Sequence, residues 1–200
     1  RMKKTIYILL LIFLTLKLSA QNKIINKLFS NDTTRHNSFL PLPLVGYSQE
    51  AGLTLGLIGI YSFYADKNDA EIKASQAYGV LSFSTKKRMQ VSFKTDVWTT
   101  ENKYHYIAEA KLLKQPFNFY GVGNNTLLAN EDEINLNRFR LNGELEKLVA
   151  KNFYLGGGIE YENLGFTDKE TGGIYETYPN LNDKDGGQFI FFKATTFFDS

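Results

Sequence analysis

Residues 88–112, RMQVSFKTDVWTTENKYHYIAEAKL, change side-chain character with a period of two, turn, and do so again. Met89, Val91, Phe93, Thr95 and Val97 fall on one face of an extended chain, with Gln90, Ser92, Lys94 and Asp96 on the other. Thr99-Thr100-Glu101-Asn102 supplies a polar turn. Tyr104, Tyr106, Ala108, Ala110 and Leu112 then resume the apolar row, opposed by His105, Glu109 and Lys111. The stretch predicts a β-hairpin with one apolar side. Each arm is about ten residues long, which suits a tilted strand crossing the roughly 25 Å hydrocarbon band of an outer membrane. A soluble β-sandwich would alternate in the same way, its apolar row turned toward a second sheet.

The N-terminus and composition narrow the choice. From Met2 onward, Lys3 and Lys4, an apolar run from Ile6 to Leu16, and Leu18-Ser19-Ala20 before Gln21 have the make-up of an export signal cleaved after residue 20. The run is too short to span a bilayer as a helix. The chain has no cysteine, so disulfides, thiolate metal sites and lipid attachment through a signal cysteine are excluded. Losing Arg1, Lys3, Lys4 and Lys17 with the signal takes the formal net charge from +2 to −2. Lys and Arg are interspersed with Asp and Glu along the strands, the opposite of the concentrated positive surface a nucleic-acid binder needs. The 12 Tyr and 16 Phe, against four Pro, favour strands.

Working outward, residues 21–42 read as a periplasmic lead-in, and Pro41 and Pro43 hand over to Leu44-Val45-Gly46-Tyr47. Leu53, Leu55, Leu57, Tyr61 and Phe63 form the next apolar row, with Ile58 and Ile60 breaking the polarity of its other face. Ala77, Gly79, Leu81 and Phe83 form a weaker strand. Phe139, Leu141, Gly143 and Leu145 oppose Arg138, Arg140, Asn142, Glu144 and Glu146. Phe153, Leu155, Gly157, Ile159 and Tyr161 oppose Glu160 and Glu162, and Ile190 to Phe198 is apolar on both faces over much of its length. About seven strands result. With that count the long loop over residues 167–187 falls at the periplasmic end, where turns are short. Either an additional strand within residues 117–130 or a separate strand at Leu44 to Tyr47 removes the conflict.

Three stretches together resemble the bacterial surface antigen family, the outer-membrane assembly barrels of the BamA and TamA type. They are Pro43-Leu44-Val45-Gly46-Tyr47-Ser48-Gln49-Glu50-Ala51-Gly52, Phe119-Tyr120-Gly121-Val122-Gly123-Asn124, and Asn152-Phe153-Tyr154-Leu155-Gly156-Gly157-Gly158. Phe197-Phe198-Asp199-Ser200 is similar to the start of the family's Asp-Ser/Thr-Arg-Asp segment. The resemblance covers residues 41–200. It implies a barrel acting in outer-membrane protein or lipid biogenesis, with lipid and client membrane proteins as partners. Two departures qualify it: residues 21–41 leave no room for a periplasmic POTRA module, and the family's Arg-Gly-aromatic lock does not occur.

Other chemistry has little to work with. His36 lies before the strands, and His105 stands beside Glu109 on its own strand without a Ser to activate. Asn182-Asp183-Lys184-Asp185-Gly186-Gly187 lacks the closing Glu of a calcium loop, and Asn124-Asn125-Thr126 is too short a glycosylation signal to weigh.

The expected architecture is all-β: a transmembrane antiparallel β-barrel over residues 43–200, about seven to eight strands of a larger barrel, truncated at its C-terminus. A closed eight-stranded barrel is the architectural alternative, and a passive outer-membrane pore the functional one. The chain is expected in the bacterial outer membrane, without catalytic residues, cofactor, metal or nucleic-acid partner. Met89, Val91, Phe93, Val97, Tyr104, Tyr106 and Leu112 are expected to face lipid. Lys94, Asp96, Glu109, Lys111, Arg138, Arg140 and Glu144 are expected to face the lumen, with Leu53, Leu55 and Leu57 on the first-strand edge.

Overall fold

The computed structural model describes residues 35–168, 172–179, 181 and 183–199. The expected export signal and most of the expected lead-in lie outside them. Eight strands follow in chain order: β1 (Ser38–Ser48), β2 (Gly52–Phe63), β3 (Ser75–Ser84), β4 (Met89–Trp98), β5 (Tyr104–Phe119), β6 (Asp132–Ala150), β7 (Phe153–Asp168) and β8 (Gly186–Phe198). They form one antiparallel meander in which each strand hydrogen-bonds only to its sequence neighbours, and β1 and β8 do not close onto each other. Helical structure among the described residues amounts to single turns such as Ile174–Thr177, and none is long or apolar enough to cross a membrane.

The hairpin over residues 88–112 forms in the expected register, with Phe93 opposite Ala110 and Lys94 opposite Glu109. Tight turns do the reversing. Lys87 (φ 63°) closes the β3–β4 turn, where Lys87 N donates to Ser84 O at 3.1 Å. Asn152 (φ 59°) closes β6–β7, and asparagine tolerates that left-handed conformation better than most residues.

Two expectations are corrected. The strands begin at Ser38, not at 43, because Phe39, Pro41, Pro43, Val45 and Tyr47 pair in unbroken register with Tyr61, Gly59, Leu57, Leu55 and Leu53. Leu53, Leu55 and Leu57 are therefore not on an edge. Among the described residues β2 is paired on both sides, and β1 has a partner strand on one side only, leaving its other edge free. The extra strand also settles the loop count. Turns 49–51 and 85–88 share the upper end with the long loops 120–131 and 169–185, while 64–74, 99–103 and 151–152 share the lower end. Strands β5, β6 and β7, of 16, 19 and 16 residues, outreach the 10 to 12 residues of β1 to β4 at the upper end.

The sheet is curled. Trp98 on β4 and Phe197 on β8, four strands apart in the meander, bring their rings to 6.3 Å, which only a concave face allows. The side chains of that face have the parity of Lys94 and Asp96. The convex face carries the apolar rows, and they are exposed: Phe93 is 53% exposed, Leu55 53%, and Phe192 83%. This inverts the usual arrangement of a water-soluble fold.

Candidate functional site: the concave face and its two ends

Alternation places charges from neighbouring strands side by side on the concave face, where they pair. Lys193 Nζ on β8 donates to Glu160 Oε2 at 2.6 Å, Asn142 Oδ1 at 2.8 Å and Glu144 Oε1 at 3.2 Å. Arg140 Nη2 reaches Glu109 Oε1 at 3.1 Å, and Arg138 Nε reaches Glu162 Oε1 at 2.8 Å. The carboxylates involved are largely withdrawn from solvent, and a charge so placed is tolerated only with a partner. Small residues let the strands carry these long side chains. A Cβ on Gly158 would stand 2.6 Å from both Glu144 Cγ and Gly143 O.

At the lower end the ladder meets an aromatic cluster. Trp98 stacks on the His105 ring at 4.0 Å, and Tyr154, 2% exposed, stacks on Phe197 at 4.5 Å. His105 Nδ1 lies 2.7 Å from Glu146 Oε2 and Nε2 lies 2.7 Å from Asp96 Oδ1. Loop 64–74 folds over the cluster: Ile72 is buried in it, and Lys73 Nζ sits 4.5 Å from the Trp98 ring centre while pairing with Asp199. The β4–β5 turn holds the loop, because Lys73 N donates to Asn102 Oδ1 at 2.8 Å and Tyr154 Oη donates to Asn102 O at 2.7 Å.

At the upper end, between turns 49–51 and 85–88 and the tall β5–β6 hairpin, lies a recess of about 740 Å³ lined by Glu50, Lys86, Lys87, Phe117, Tyr120 and Glu133, among others. Above it the tall β5–β6 hairpin is tied to the loop after β7. Asp132 Oδ2 accepts from Tyr175 N at 2.8 Å, Phe119 meets the edges of Tyr175 and Tyr178, and Tyr178 Oη donates to Val122 O at 2.9 Å. Ile134 beneath is fully buried.

The sequence-predicted residues fall as follows. Val91, Phe93, Tyr106 and Leu112 are exposed on the convex face, and Met89, Val97 and Tyr104 share that face by register, half-buried. Lys94, Asp96, Glu109, Lys111, Arg138, Arg140 and Glu144 share the concave face. His105 has partners on β4 and β6 in place of Glu109 on its own strand. Trp98, Glu146, Tyr154 and Lys193 were missed as a group, since each is one charged or aromatic residue at a strand end or on an otherwise apolar strand. Register across strands is what unites them. Among the described residues no three His, Asp or Glu side chains converge on a metal site.

No family model matches the chain, and neither a curated protein nor a solved structure does.

Proposed function

We propose that this chain is a bacterial outer-membrane protein whose convex face meets lipid and whose concave face forms the inside of a barrel. We further propose that it serves membrane assembly without catalytic chemistry. The observation that carries the reading is the inversion of the sheet: the exposed face is apolar, and the paired charges are on the other. Exposed aliphatic side chains Leu57, Leu81, Val91, Leu112 and Leu141 lie between aromatic rows. Tyr61, Phe63, Tyr104 and Tyr106 stand at the lower end, and Tyr47 and Phe83 at the upper end. A membrane barrel needs such girdles, one at each interface. The two longest loops, after β5 and after β7, then face the exterior, and the end that carries turns 99–103 and 151–152 and the loop 64–74 faces the periplasm.

The family resemblance supports an assembly role, in which a barrel acts on other membrane components by offering backbone at a strand edge or by disturbing the bilayer around it. A passive pore is the competing reading. The ion-paired ladder lines the concave side and loop 64–74 covers its lower end, which favours assembly over conduction. Expression with the export signal in a Gram-negative host tests both levels. Co-fractionation with outer-membrane lipid and heat-modifiable electrophoretic mobility are expected, whereas a soluble periplasmic product overturns the membrane reading. In planar bilayers the protein is expected to give no large, steady conductance, and such a conductance would assign it to the pores.

A further inference from the structure

Strand pairing fixes which backbone groups of β1 look outward. Thr85 N donates to Leu53 O at 2.9 Å, so Leu53 turns its backbone toward β3, and by alternation the even-numbered residues of β2 serve β1. Their partners on β1 are even-numbered too, as in Leu42 with Ile58 and Leu44 with Gly56. Phe39, Pro41, Pro43, Val45 and Tyr47 are left with their backbone groups on the free edge. Pro41 and Pro43 have no N–H. The middle of that edge therefore offers carbonyls alone, and a neighbouring strand would leave its own carbonyls unanswered in a medium with no water to replace them. The opposite edge differs. Asp199 N donates to Asn152 O at 2.8 Å, so Gln188, Ile190, Phe192, Ala194, Thr196 and Phe198 point outward, each with an N–H.

The side chains around the proline gap are apolar on both faces. Leu40, Leu42 and Leu44 share the concave face with Ile58 and Ile60, and Phe39, Val45, Leu55 and Leu57 are exposed on the convex one. Across β4 to β7 the concave face is charged instead: Ile60 stands in register, through Tyr78, with Lys94, Glu109, Asn142 and Glu160.

We propose that β1 borders a lipid-admitting seam, where an acyl chain lies along Leu40, Leu42 and Leu44 and reaches the concave face. This rests on the transmembrane reading above. Hydrocarbon asks for no backbone partner and wets a wall that is apolar on both sides, whereas a β-strand needs the donors that Pro41 and Pro43 lack.

The native chain has no cysteine, so single substitutions Leu42→Cys, Phe93→Cys and Lys94→Cys each place one thiol-reactive fluorophore. The full chain is reconstituted in phosphatidylcholine vesicles with brominated acyl chains, and Leu44→Cys replaces Leu42→Cys should the latter fail to fold. Quenching at Leu42 is expected within about two-fold of that at the convex Phe93 and about five-fold or more above that at Lys94. Quenching at Phe93 without quenching at Leu42 overturns the seam and leaves the membrane reading intact. Absence of quenching at Phe93 overturns the membrane reading itself. Equal quenching at all three positions overturns the seam as a distinct feature of β1.

Discussion

Replacing Lys193 with methionine keeps the length of the side chain and removes its charge. Two carboxylates, Glu144 and Glu160, then lose the ammonium that lies 3.2 and 2.6 Å from them, and Asn142 loses a donor at 2.8 Å. Breaking a fully buried pair costs about 3 to 5 kcal/mol, and an exposed pair contributes about 0 to 1 kcal/mol. The carboxylate side chains are 15% and 14% exposed and the lysine 30%, so the site lies between these limits. A loss of roughly 2 kcal/mol follows, about a thirty-fold shift in the folding equilibrium. Urea unfolding in phosphatidylcholine vesicles, followed by the fluorescence of the chain's single tryptophan, measures it. Adding Glu144→Gln and Glu160→Gln to Lys193→Met removes the unpaired charge and is expected to restore most of the loss. A Lys193→Met protein within about 0.5 kcal/mol of the native one, or a triple variant no more stable than the single one, refutes the reasoning.

Three further outcomes are expected. Phe93→Arg puts a charge on the convex face near its middle and is expected to cost about 2 to 4 kcal/mol in vesicles, while Lys94→Gln next to it changes stability by less than about 0.5 kcal/mol. Both are read by the same unfolding assay, and equal effects would count against the assignment of faces. Tyr154→Ala empties the lower cluster and is expected to cost about 3 to 5 kcal/mol by the same measurement. Asp132→Ala removes the acceptor for Tyr175 N and with it the buried tie between the segment 172–179 and the β5–β6 hairpin. Limited proteolysis of whole cells or vesicles should then cut that segment several-fold faster, with the sheet unaffected.

The sequence made some of this fold plain and hid the rest, and the reason lies in what each strand faces. β4 to β7 have one charged and one apolar side, so period two stands out and places Lys94, Glu109, Arg140 and Glu144 on one face correctly. β1 has no such contrast. Leu40, Leu42 and Leu44 are as apolar as Phe39 and Val45, and Pro-Leu-Pro-Leu reads as a breaker, although proline at an edge costs the ladder nothing. For the same reason Leu53, Leu55 and Leu57 were assigned to the edge when they belong to an interior strand. The ladder itself was invisible in one dimension. Lys193 is a lone cation on a phenylalanine-rich strand, and only the register through Gly158 sets it beside Glu144 and Glu160. His105 was set beside Glu109 because the two share a strand, yet it is cross-strand neighbours that reach its ring.

The lower-end closure has a consequence for the order of events during folding. Lys73 and Asp199 are separated by 126 residues, and Asn102 and Tyr154 by 52, so loop 64–74 has nothing complete to dock on until β7 and β8 exist. Neighbouring hairpins assemble from local contacts and need not wait, whereas this closure carries the long-range entropy cost of the whole meander. Ile72 and Trp98 therefore lack their cover from Tyr154 and Phe197 through every earlier stage. Full burial of Trp98 thus marks the moment at which β8 has docked.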